Sequence, residues 1–290
     1  MDDRRAFRKA NVLQRFGLAL ILLLFVTGCA TFRIPSNLSA EILSSDDLEL
    51  VEDGLPTYLL TMDGLVRTYP RNVRVLSTAA ELNSAYAGVF MESEERQKRY
   101  SAKALDLATR AACREIRSLC DIREQRVSVA EQTIDGIDRE RDAPMLYLLG
   151  SIWAGYIQAH SDDWNAVAQL PKAQRLLEQQ VKLYPGYNHA MGELYLGVIA
   201  SILPPALGGQ PEVAREYFER AITLSRGRNL IVKVFYAQEY ARLMFDQELH
   251  DDLLEQVLAA DPSQGQLTLQ NAYAQSLARE LLATSNDYFF

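Results

Sequence analysis

The chain has 290 residues, 48% of them hydrophobic and 23% charged, with a formal net charge of −8. That apolar content suffices for a large core and argues against disorder, while the acidic balance disfavours a broad electrostatic grip on nucleic acid. The length allows one elongated domain or two small ones.

The first predicted element is an export signal. Arg4, Arg5, Arg8, Lys9 and Arg15 precede the apolar run FGLALILLLFVT at 16–27, and Gly28-Cys29 follow it. A basic segment, a short apolar segment and a small-residue cleavage site make such a signal. The run falls short of the ~18–20 residues that span a bilayer. Its ending, Val26-Thr27-Gly28-Cys29, resembles a bacterial lipobox. On that reading 1–28 is the signal peptide and Cys29 carries acyl chains, two or more of which anchor stably where one is marginal. An ordinary secretory signal with a chance cysteine is the plainer alternative. Ala30, in place of the aspartate that often retains lipoproteins in the inner membrane, points to the outer membrane. Without the five basic and two acidic residues of 1–28, 25 Lys+Arg face 36 Asp+Glu, a net charge of −11. That balance suits a solvated envelope protein.

Residues 29–50 read as the lipidated cysteine and a tether with a short ordered end, and 51–290 as an α-helical domain. Helical periodicity predicts helices over 55–68, 73–90, 94–112, 122–138, 144–159, 166–183, 188–201, 211–225, 228–244, 247–260 and 265–283. No run of alternating apolar residues suggests a sheet. Tyr69-Pro70, Tyr184-Pro185 and Asp261-Pro262 each close a helix, because the residue before proline avoids the α region. Ser93 before Glu94-Glu95 reads as an N-cap with acids at the positive helix end, and Asp142 before Ala143-Pro144 as an N-cap with proline in the first turn.

Cys113 and Cys120 admit two readings. On one continuous helix their Cα atoms would lie about 10.5 Å apart, beyond disulfide reach. A break near 114–119 would let them pair, as an exported protein permits. Otherwise they are two reduced, partly buried thiols. No metal-binding spacing such as C-x-x-C occurs.

The helices are amphipathic. Within 212–225, Ala214, Tyr217, Phe218, Ala221 and Ile222 form one stripe, with Arg215, Glu219 and Arg220 off it. Such a helix needs neighbours, and helices joined by short turns stack as hairpins into a solenoid. Fragments of the tetratricopeptide pattern are present. Leu146-x2-Leu149-Gly150-x2-Trp153 fits its first half and Ala214-x3-Phe218-x2-Ala221 its second, with Pro185 and Pro262 as repeat ends. Gly150 would let the partner helix approach and Trp153 would fill the gap. The fold expected is therefore an all-α helical-hairpin solenoid with degenerate tetratricopeptide-like repeats. The apolar stretch 202–209, with Leu203, Pro204 and Pro205, is longer than a repeat turn allows. It is either a contact-making loop or one packed back on the helices.

No phosphate-cradling glycine loop, zinc-protease pattern or nucleophile elbow occurs. His160, His189 and His250 are far apart in sequence, and the carboxylates interleave with Arg and Lys as on solvated helix faces. The chain therefore reads as a non-enzyme, without cofactor or metal; an enzyme would centre on His160, Asp162 and Asp163. Aromatic side chains are the better lead, since aromatic anchors serve binding surfaces on solenoids. Trp153, Tyr156 and Trp164 flank Asp162-Asp163, and Tyr184, Tyr187 and Tyr195 cluster in the next hairpin. Trp153 fits a core position, which leaves Tyr156, Trp164 and Tyr187 as ligand or partner candidates together with Leu203, Pro204 and Pro205.

An ordered set of segments carries a family resemblance: DGLPTYLL at 53–60, AA at 79–80, SAYAGVF at 84–90, DAPMLY at 142–147, GELYLG at 192–197, YFERAI at 217–222, KVFYA at 233–237 and LLEQVLAADP at 253–262. With the lipobox in front, the chain resembles the T-component (TatT) family of TRAP-transporter periplasmic lipoproteins from about residue 40 to 283. The resemblance implies a periplasm-facing, membrane-tethered accessory subunit beside a TRAP-type secondary transporter. It also implies docking of the solute-binding protein, handover of a hydrophobic or acidic ligand, and a homotrimer with a pore or cleft in each subunit. No short motif here marks the pore residues, and the cysteine pair has no place in the family pattern. A lipoprotein scaffold for envelope or outer-membrane assembly is the competing function.

Overall fold

A computed structural model describes residues 34–91, 93–202 and 209–290, and every regular element among them is helical. Helix α1 is Ile34–Ser44, α2 Leu48–Thr68, α3 Val73–Val89, α4 Glu94–Glu115, α5 Val127–Asp135 and α6 Ala143–Ala159. Then follow α7 Trp164–Val167, α8 Leu170–Leu183, α9 Tyr187–Ala200 and α10 Pro211–Leu224. The chain ends with α11 Ile231–Phe235, α12 Gln247–Ala259, α13 Thr268–Ala283 and α14 Ser285–Phe289. Helix α1 and the start of α2 fall inside the stretch read from sequence as a tether.

Local chemistry accounts for most boundaries. The Asp47, Asn72, Ser93 and Asp246 side chains accept from the free N–H groups of their helices' first turns, as caps do. Asp142 stands before α6 but its carboxylate does not cap it. That carboxylate is buried and accepts from Arg139 Nε at 2.8 Å instead. The expected helix over 166–183 is two helices, because Pro171 opens a new one at α8. The expected helix over 122–138 starts only at Val127. Helix α4 ends at Glu115, Ile116 is extended, and Cys120 comes back to bond Cys113 with Cα atoms 4.1 Å apart. The buried Lys172 then donates to the carbonyls of Arg123 at 2.8 Å and Ile122 at 3.3 Å, holding the turn in place. The expected helix over 228–244 is α11 followed by a π-helical turn, Tyr236–Ala241, whose wider ring seats both Tyr236 and Tyr240 inside.

Neighbouring helices pack in chain order: α3 on α4, α4 on α6, α6 on α8, α8 on α9 and α9 on α10, with α12 against α13. Glycines mark the close approaches, among them Gly192 against Gln180 and Val181. A Cβ at Gly150 would lie 2.9 Å from Leu177 Cγ, and one at Gly197 would lie 3.0 Å from the Phe218 ring. Trp153 is fully buried beside Gly150's helix contact, and the 214/218/221 stripe is buried as its spacing demands. One apolar cluster runs from Val51 to Leu176 and a second from Ala190 to Ala278. The last long helix, α13, returns to α1 and α2, and Leu269 packs on the first cluster. The two ends of the helix succession therefore meet. At the C-terminus Ser285 Oγ donates to Asp251 Oδ1 at 2.6 Å, and Phe289 sets its edge on the buried His250 ring, pinning α14.

Candidate functional site

Helices α3 and α6 share an unusual composition. Between residues 75 and 91 the only charged side chain is Glu81, and 143–159 has none. Helices apolar all round belong inside a structure or along an internal wall. Ser84, one turn on from Glu81, lies 3.8 Å from where a Cβ on Gly155 of α6 would be, so this face of α3 looks onto α6.

Four tyrosines converge there. Tyr147 of α6 meets Tyr187 of α9 edge to face, with centroids 5.6 Å apart, and Tyr195 at 6.4 Å. Tyr184 lies 5.6 Å from Tyr187. Tyr147, Tyr195, Ile199 and Tyr217 pack as partly buried side chains around Leu177, Val181 and Leu196. Rings inclined at 54–66° form a corner rather than a stack.

Desolvation shifts the acidic groups of these helices. Glu81 has accessible surface, yet desolvation by the surrounding protein pushes its carboxyl up to about 7. Tyr147, Tyr187 and Tyr195, each half-buried, are likewise raised chiefly by desolvation. The Glu81 charge raises Tyr147 and Tyr187 a little further.

The start of α9 is strained. Gly186, Asn188, His189 and Ala190 all have positive φ, of 73°, 48°, 56° and 64°. Left-handed backbone costs a non-glycine residue roughly 1–2 kcal/mol, so something must hold it. Glu193 Oε1 accepts the Gly186 N–H at 3.0 Å, and Asn229 Nδ2 donates to His189 O at 2.9 Å. Such strain concentrates at functional sites, and here the turn carries Tyr187 and Asn188 to the tyrosine corner.

The residues expected from sequence are dispersed. Tyr187 sits in the corner. Tyr156 lies at the end of α6, with its ring 4.1 Å from that of His160. Trp164 is 85% exposed at the tip of α7, whose first turn is capped by Asp163. Cys29, Leu203, Pro204 and Pro205 lie outside the described residues. His160, Asp162 and Asp163 have separate structural partners: Tyr156 O, Lys98 and the Asn165 N–H. Among the described residues no group of three or more His, Cys, Asp or Glu could hold a metal ion, and no helix is long and apolar enough to cross a membrane. Sequence reasoning passed over Glu81 and Tyr147, although the isolation of Glu81 on an uncharged helix was a usable signal.

A family model described as TRAP transporter T-component matches residues 44–289. No curated protein matches the chain.

Proposed function

The chain belongs to the TRAP transporter T-component family, and on that premise we propose that it is a membrane-anchored, periplasm-facing accessory subunit that docks the solute-binding protein of a TRAP-type transporter. The family match across the helical region carries this reading, since it ties the chain to a transporter component rather than to an enzyme class. The lipobox at Val26–Cys29 supplies the anchor through Cys29, in the outer membrane. The helices form a solenoid of degenerate tetratricopeptide-like repeats, supported by the Gly150 and Gly197 contacts at repeat positions. The assembly is a homotrimer, as the family resemblance implies. Exposed aromatics at helix tips, Trp164 first, anchor the docked partner. The tyrosine corner passes on a ligand with an apolar body, supported by rings that are desolvated but still reachable.

Crosslinking of the full lipidated chain in its own envelope, with partners identified by mass spectrometry, tests the reading. Capture of a TRAP solute-binding protein is expected. Capture of assembly or cell-wall proteins alone would overturn it in favour of an envelope scaffold.

A further inference from the structure

We propose that the cavity beside the Cys113–Cys120 disulfide is a modification site for small carboxylate-bearing thiols, which Arg114 and Arg117 draw in and Cys113 receives as a mixed disulfide. The site is independent of the docking reading above.

Three observations carry the argument. The first is access. Cys113 and Cys120 are both only partly buried. A cavity of about 320 Å³ opens there, lined by Cys113, Arg114 and Arg117. That volume falls at the lower end of small-ligand sites, ~300–1,000 Å³. Cys113 lines the cavity and Cys120 does not, so a thiol seated there meets Cys113 Sγ first. The second is charge. Arg110, Arg139, Arg141, Arg175 and Arg215 each have a carboxylate partner. Arg114 and Arg117 are exposed, and among the described residues neither forms an ion pair. Glu115 and Asp121, the nearest acids along the chain, do not line the cavity. Arg114 stands in the last turn of α4, where it also offsets the negative helix end, and Arg117 in the next turn adds a second positive charge. Guanidiniums hold carboxylates by paired hydrogen bonds, and positive charge beside a sulfur favours the reactive thiolate. The third is support. Ile116, Leu119 and Ile122 are buried, and Lys172 donates to the Ile122 and Arg123 carbonyls. The turn has anchors of its own, so the bond can open without the segment leaving the core.

The step is thiol–disulfide exchange. The incoming thiolate sulfur bonds to Cys113 Sγ as the Cys113–Cys120 bond breaks. The bonding pair leaves on Cys120 Sγ, which takes a proton from water. Nothing but the thiol is consumed.

The test follows opening of the disulfide in the full-length oxidised protein, without oxygen, by rapid alkylation and peptide mass spectrometry. It compares 3-mercaptopropionate, 2-mercaptoethanol and cysteamine. Each rate is divided by the same thiol's rate on hydroxyethyl disulfide, so that intrinsic nucleophilicity cancels. The normalised rate of the acid should exceed that of the amine by about tenfold, the low end of what a cleft lined by one sign of charge contributes. The neutral thiol should fall between them, and the adduct should sit on Cys113. Replacing both arginines, Arg114→Gln with Arg117→Gln, should bring the three rates together. So should about 1 M salt, where screening acts within ~3 Å, and this reading stands even if the double variant fails to fold. Equal normalised rates in the unaltered protein, a preference that survives the substitutions or the salt, or an adduct on Cys120 overturns the proposal.

Discussion

The contact between α6 and α8 allows a paired test, since α6 carries two interior glycines in opposite surroundings. A Cβ at Gly150 would lie 2.9 Å from Leu177 Cγ, 3.1 Å from Leu176 Cβ and 3.2 Å from Leu177 Cδ2. Carbon atoms at rest sit about 3.5–4.0 Å apart. Leu176 Cβ is one bond from its own backbone, so no rotamer change relieves that clash and the two helices must part. Overpacking of this kind costs about 1–3 kcal/mol. Against it stands the helix-propensity gain of glycine to alanine, about 1 kcal/mol. At Gly155 the added Cβ would meet only Ser84 Oγ at 3.8 Å, an ordinary contact, and the propensity gain is kept whole. Gly150→Ala should therefore be neutral to destabilising and Gly155→Ala stabilising, with about 1–3 kcal/mol between them. For a domain of this size that separates the melting temperatures by about 2–12 °C. Thermal unfolding followed by far-ultraviolet circular dichroism measures it. Equal shifts in the two variants would refute the close approach at Gly150 and with it the repeat register. Gly150→Leu should cost at least as much as Gly150→Ala.

Glu81 gives a pH dependence of definite sign. Its carboxyl holds its proton up to about pH 7 in the folded chain, against an ordinary 4.5. The folded state thus binds more protons than the unfolded one across that window, and this contribution, whole below 4.5, is lost as the pH rises to about 7. Glu81→Gln should raise the melting temperature at about pH 8 and leave it unchanged at about pH 4; the same shift at both would contradict the desolvated site. Breaking the Cys113–Cys120 bond, which closes a loop of separation 7, should cost about 2–3 kcal/mol by the chain-entropy relation. Chemical denaturation of Cys113→Ser under oxidising conditions reads this, and an unmoved midpoint would mean that the Lys172 contacts alone hold the turn. Trp164→Ala should change stability by less than about 0.5 kcal/mol, given its exposure. The same variant should lower the yield of crosslinks to the docked protein, and an undiminished yield would remove Trp164 from the docking surface.

Most of the fold was legible because its determinants are local. Helix period, the cap at Ser93, and the prolines at 70, 185 and 262 act within a few residues of themselves. The burial of Trp153 and Phe218 and the close approach at Gly150 also followed from spacing, since a stripe repeated every three or four residues has one direction to face. Some local signals misled. Asp142 has the right position for a cap, but Arg139 competes for its carboxylate. The left-handed turn at Gly186–Ala190 carries no compositional mark beyond its glycine, because the groups that hold it, Glu193 and Asn229, come from further along the chain.

The sequence by itself determined that this chain is helical, where most helices begin and end, which faces are buried, and the family to which it belongs. Each of these depends on neighbours three or four residues away or on an ordered set of short segments. Only the tertiary structure decided that α13 returns to α1 and α2, that Cys120 folds back to Cys113, and that Tyr147 meets Tyr187 and Tyr195. The tyrosine cluster draws on helices separated by dozens of residues, and it exists only once they stack. A carboxyl's desolvation is set by the atoms packed around it, and that count is fixed only once the helices have closed on one another.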